Sequence, residues 1–139
     1  MPTVTTNYYR KQSAFKEVSL SADTFAVALM GQLVTSSTEA ELKQLSTYSE
    51  ISAYEVASST YSAMSLSADT VSANSSDVVL WDGVNLTWTN VTVSPYGLAI
   101  YRISDGLVVG FIEFDDAPII AVNGTISLNW NANGIMNIF

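Results

Sequence analysis

The sequence predicts an all-β fold, a β-sandwich or partly closed barrel of short antiparallel strands with one short helix and an extended N-terminal arm. Three observations predict it. Short runs of β-branched and aromatic residues follow one another in the second half, separated by turn dipeptides such as Asp82-Gly83, Asn123-Gly124 and Asn133-Gly134. Leu86 to Val93 sets Leu86 and Trp88 against Thr87 and Thr89, the period of two of a half-buried strand. A single stretch, near Thr38, carries a helix-start pattern.

The elements follow in chain order. Residues 1–13 mix Thr, Asn, Tyr, Arg and Lys without periodicity and read as an extended arm, leaving 14–139 as a single β domain. On that division, removal of Met1 to Ser13 is expected to leave the domain folded. A semi-regular stretch from Ala14 to Leu20 ends at the polar break Ser21 to Thr24, and Phe25 to Val34 is a continuous apolar run suited to a strand buried on both faces. Ser36-Ser37-Thr38 followed by Glu39 and Glu41 places a capped helix at Thr38 to Leu45, with acids where the helix dipole favours them. Ile51 to Val56 and Tyr61 to Leu66 read as weak strands, and Val78 to Trp81 as a clearer one. Leu98 to Ile103 and Leu107 to Phe114 flank Ser104-Asp105-Gly106, a three-residue hairpin connection with glycine where φ must be positive. After the turn at Asp115 to Pro118, Ile119 to Val122 meets Asn123-Gly124, which suits a type I′ hairpin, and Ile126, Leu128 and Trp130 alternate beyond it. Ile135 to Phe139 closes the chain as a strand.

Composition narrows the function. The 139 residues suffice for one domain with a core, and 48% hydrophobic with 13% charged residues argues against disorder. The net charge of −8 is uneven. Up to Lys43 four basic and four acidic residues cancel; beyond it Arg102 faces nine carboxylates. Such a body repels a phosphate backbone, so direct nucleic-acid binding is not expected. Absence of cysteine rules out disulfides and thiolate metal sites, and no apolar run approaches the length of a spanning helix. No secretory signal pattern opens the chain.

The chain also has no histidine, so the commonest general bases, nucleophiles and metal ligands are missing and no enzyme activity, cofactor or metal is expected. Glu113, Asp115 and Asp116 form the densest acidic group; next to Pro118 they read as solvated turn residues rather than a glycosidase pair. A calcium site from Asp105, Asp115 and Asp116 is chemically open, but no EF-hand or repeat spacing supports it. The Asn-X-Ser/Thr sequons at Asn74, Asn85, Asn90 and Asn123 follow from composition in a chain rich in these residues. Trp88 and Trp130 read as core. The candidate partner surface is the cationic-tipped arm, Tyr8, Tyr9, Arg10 and Lys11, together with Val109 and Phe111. These last two lie on Leu107 to Phe114, a strand apolar on both faces, of which one face would cover a core and the other a second subunit.

An ordered set of segments resembles small virion structural proteins of tailed bacteriophages. The set comprises Phe25 to Leu29, Ser49-Glu50-Ile51 through Tyr61, Leu86 to Thr92, Ala99-Ile100-Tyr101, Val109 to Phe114, Asn123 to Ile126 and Leu128 to Ile135. The resemblance covers most of residues 15–139. It implies a capsid cement or decoration protein on the capsid exterior, assembled in the bacterial cytoplasm, with the major capsid protein as partner and a homo-oligomer, dimer or trimer, as its own state. No membrane association is implied. A tail or fibre-attachment subunit and a carbohydrate-binding module are the alternatives.

Overall fold

The apolar run at Phe25 forms a strand with every side chain buried, and the remaining structure is arranged to cover it. The computed structural model describes residues 3–9, 23–32, 37, 39–66, 70–73, 79–82, 85–115, 117–129 and 136–138. In chain order the elements are β1 (Thr3–Thr5), β2 (Phe25–Met30), α1 (Glu39–Lys43), α2 (Tyr48–Ile51), β3 (Met64–Leu66), β4 (Thr70–Ala73), β5 (Val79–Asp82), β6 (Leu86–Val93), β7 (Gly97–Arg102), β8 (Val108–Glu113), β9 (Ala121–Leu128) and β10 (Met136–Ile138). Residues 7–9 are also helical. Arg10, Lys11, the Ala14 to Leu20 stretch, Asp116, Trp130 and the Asn133-Gly134 turn lie outside the described residues.

The class is the expected one: all-β and antiparallel. A five-stranded sheet runs β1-β8-β7-β2-β3, a three-stranded sheet β10-β5-β4, and β6 pairs with β9 as a two-stranded ribbon. The period of two divides the large sheet's side chains between two buried clusters. Phe25, Val27, Leu29, Leu98, Ile100 and Val109 join the ribbon's Leu86, Trp88, Val91, Val93 and Ile126. Ala28, Met30, Ala99 and Phe111 join Leu42 of α1 and Ile51 of α2. The sheet is thus covered by a ribbon on one face and short helices on the other.

The hairpin across Ser104 to Gly106 forms as its glycine suggested, with Gly106 at φ 78°. Ile100 pairs with Gly110 and Tyr101 with Val108, which leaves Val109 as an extra, bulged residue. The bulge explains how Val109 and Phe111 reach opposite clusters. Both faces of this strand are covered by the chain itself, so the expected free face for a second subunit is corrected: Val109 is 0% and Phe111 1% exposed.

The arm is corrected too. Residues 3–5 pair with β8, Thr3 opposite Ile112 and Thr5 opposite Gly110, and Val4 is buried. Thr6, fully buried, donates its hydroxyl to the Val108 carbonyl at 2.5 Å and accepts the Tyr9 amide at 3.1 Å, capping the helical turn that begins at residue 7. Tyr9 is 3% exposed, in the sheet and ribbon core. Gly110 makes the docking of β1 feasible, since a Cβ there would lie 2.2 Å from the Val4 carbonyl oxygen.

Two further expectations fail for local reasons. Asn123-Gly124 makes no hairpin; it lies inside β9, a continuous strand of eight residues. Between Trp88 and Val91 the ribbon carries an extra residue on β6, and between Val91 and Val93 one on β9. Asn90 and Asn123 occupy these two irregularities with φ of 55° and 47°. The left-handed asparagine therefore serves a bulge, and the second irregularity restores the register lost at the first. Ile51 to Val56 is not a strand: Tyr48–Ile51 is helical, Ser52–Tyr54 forms a 3-10 turn, and only Glu55 bridges to β2. The helix read at Thr38 to Leu45 is present as α1, so the chain has more than the one helix expected.

Two outcomes follow. Gly110→Ala should displace β1 and cost on the order of 2–4 kcal/mol in denaturant unfolding, and deletion of residues 1–9 should destabilise the domain more, reversing the expectation drawn from the arm alone. Trp88, 4% exposed with its indole N–H on the Ser62 carbonyl at 2.9 Å, should cost about 3–5 kcal/mol as Trp88→Ala; a loss below about 1 kcal/mol would contradict its place in the core.

Candidate functional site

Strand β2 is buried on both faces, so its backbone groups need partners along both edges. Along one edge β7 pairs with all of it, Phe25 opposite Arg102 through Met30 opposite Gly97. The other edge is divided. β3 covers Phe25 to Val27, while residues 54–56 cover the far end: Gly31 donates to the Tyr54 carbonyl at 2.7 Å and Val56 to the Leu29 carbonyl at 3.0 Å. Between these two stretches the chain loops away, and the Leu29 amide is met by the phenol oxygen of Tyr61 at 2.9 Å. A side chain there replaces a strand.

Having accepted from Leu29, the Tyr61 hydroxyl donates to Oε2 of Glu55 at 2.5 Å, and the Tyr48 hydroxyl donates to Oε1. The Tyr48 ring lies 4.4 Å from that of Tyr101 on β7, tilted by 30°. These groups line a solvent-open cavity of about 500 Å3 completed by Ser52, Val56, Ala57, Ser58, Ser62 and Ala63. The surrounding loop is anchored to β6 by Trp88 on Ser62, by the Thr60 hydroxyl on the Asn90 carbonyl and by the Thr92 amide on Ser58 at 3.4 Å.

Tyr48 is set in place by the start of α2. Glu50 reaches back to the Ser46 and Thr47 amides at 3.1 and 3.0 Å and to the Ser46 hydroxyl at 2.8 Å, half of a capping box that satisfies donors no helix turn can. The Tyr48 amide donates to the Gly106 carbonyl at 2.7 Å and Val108 donates to Ser46 at 2.9 Å, which ties α2 to the β7–β8 hairpin. At that hairpin Arg102 forks onto Asp105 at 2.9 and 2.6 Å and reaches Asp23 at 3.0 Å.

The electrostatics follow from this placement. Burial, then hydrogen bonding to Glu55, pushes the Tyr48 and Tyr61 hydroxyls well above the usual phenol range; Tyr101 is raised by burial and by the Glu55 charge. All three remain protonated at neutral pH. The Arg102 guanidinium lowers Asp105, and the Ser46 hydroxyl leads the bonds that lower Glu50.

Of this site, Tyr101 and the stretch from Ser49 to Tyr61 entered the sequence reading only within strand runs and through the resemblance, and none of these residues was expected as a site. Tyr8 is half-buried against the ribbon core, and Tyr9, Val109 and Phe111 face inward. Asp105 and Asp115 flank the six residues of β8 at opposite ends, about 20 Å of extended chain. Among the described residues no three carboxylates gather around a possible metal position. No helix of the described residues is long and apolar enough to cross a membrane. Comparison with protein families, with curated proteins and with solved structures finds no match to the chain.

The tyrosine shifts carry a sign. A phenol raised in the folded state contributes stability below the unfolded value, about pH 10, and that contribution is lost as pH rises beyond it. Unfolding free energy should therefore fall as pH rises above about 10, and fall less steeply in a Tyr48→Phe, Tyr61→Phe double variant. Equal slopes in denaturant titrations would show that these hydroxyls do not hold their protons through the fold.

Proposed function

We propose that the chain is a structural component of a tailed-bacteriophage virion, a capsid cement or decoration protein that binds the outer surface of the major capsid lattice and stabilises it as a dimer or trimer. The observation that carries the reading is an exposed apolar pair on an otherwise charge-poor, acidic body. Ile120 and Val122 alternate with buried Ala121 at the start of β9 and are each 70% exposed. They take the place of Val109 and Phe111 as the surface offered to a neighbour. Covering both would contribute about 2–5 kcal/mol, enough for a hot spot when many copies bind one lattice. The ordered resemblance to small virion proteins supports the same reading, as does the lack of histidine and cysteine, which removes most catalytic chemistry.

The test is particle association. An Ile120→Asp, Val122→Asp variant should keep its melting temperature within about 2 °C, because both side chains are exposed, yet lose binding to tail-free heads that retain the native chain. Recovery of the native chain with purified tails alone would overturn the capsid assignment in favour of a tail or fibre-attachment subunit.

A further inference from the structure

The cavity beside Glu55 has a chemistry of its own, whatever particle the chain belongs to. Glu55 is a half-buried carboxylate whose hydrogen bonds come from two neutral phenols, and among the described residues no cation is paired with it. Each of its oxygens has accepted one hydrogen bond and can accept another. The wall is aromatic, formed by Tyr48 and Tyr101, and Ser52 and Ser62 stand exposed among the lining residues. At about 500 Å3 and largely open to solvent, the space can admit the end of a side chain presented from outside.

We propose that this cavity binds a guanidinium group, presented by an arginine side chain of a partner protein. A planar guanidinium matches the free lone pairs of the carboxylate with two parallel donors and lays its face against tyrosine rings. Its aliphatic stem suits Val56, Ala57 and Ala63. An anion is disfavoured by Glu55 and by the net charge of −8. A metal ion would meet a single carboxylate. Free arginine brings its own α-carboxylate toward an acidic body, whereas an arginine within a chain does not.

The experiment titrates the full chain with N-acetyl-arginine methylamide, N-acetyl-citrulline methylamide and free arginine, following tyrosine ring signals by NMR. The arginine amide should bind saturably and shift the Tyr48 and Tyr101 rings, with the neutral citrulline isostere at least about tenfold weaker. Free arginine should be the weaker of the two cations; if it binds more tightly, the source is a free metabolite and the partner-protein assignment is overturned. Glu55→Gln should weaken binding at least about tenfold. Because that change also touches the tyrosine network, Ser52→Trp, which fills the cavity from an exposed position, supplies an independent loss with Glu55 intact. No saturable binding, equal binding of citrulline, or binding unchanged in both variants would overturn the proposal.

Discussion

The constraint on which the structure depends is the second edge of β2. A strand buried on both faces cannot leave backbone groups to solvent, and an unpaired buried amide costs about 1–3 kcal/mol. β3 is too short to cover the whole edge, and residues 54–56 cover only the far end. The junction between them is closed by the Tyr61 phenol on Leu29. That one bond determines where Tyr61 must stand, and hence where a carboxylate is needed to receive its proton. Glu55 then fixes Tyr48, Tyr48 packs on Tyr101, and the cavity is what remains between them. The site is a by-product of satisfying a strand.

Much of the sheet was legible because its signals are local. The apolar run at Phe25, the alternation from Leu86 and the glycine at Gly106 each specify conformation through neighbours in sequence. Asn123-Gly124 was misleading for a related reason: asparagine's tolerance of positive φ serves a bulge as well as a turn, and only the partner strand decides between them. The helix at Tyr48 had a local signature, Thr47 followed by Glu50 at the capping-box spacing, which outweighs the strand propensity of Ile51 to Val56. The Tyr48, Glu55, Tyr61 and Tyr101 group had none. Its members meet through the pairing of residues 54–56 with β2, a tertiary event with no trace in composition or period.

The arm shows how a polar segment enters a core. Val4 is a lone apolar residue among threonines, too little for a periodic signal, yet β8 had a place for it because Gly110 carries no side chain. Thr6 then completes the junction, its hydroxyl donating to one strand and accepting from the next helical turn. Threonine is well suited to this, since one hydroxyl both donates and accepts. The result is that the apolar faces of β8, which read from sequence as a surplus, are consumed internally. Among the described residues the large apolar side chains most exposed to solvent are instead Ile120 and Val122.

Charge and edges complete the balance. A two-stranded ribbon such as β6 and β9 would present long edges for unwanted pairing if it were flat. Its two bulges, each with a left-handed asparagine, bend and twist those edges, and the Thr92 hydroxyl accepting from the Asn123 amide at 3.0 Å fastens the second. The net charge of −8 works in the same direction by opposing close approach of like bodies, whereas Ile120 and Val122 are exposed and apolar. Edge protection and apolar exposure thus reside in different groups, so that one can be altered by mutation without the other.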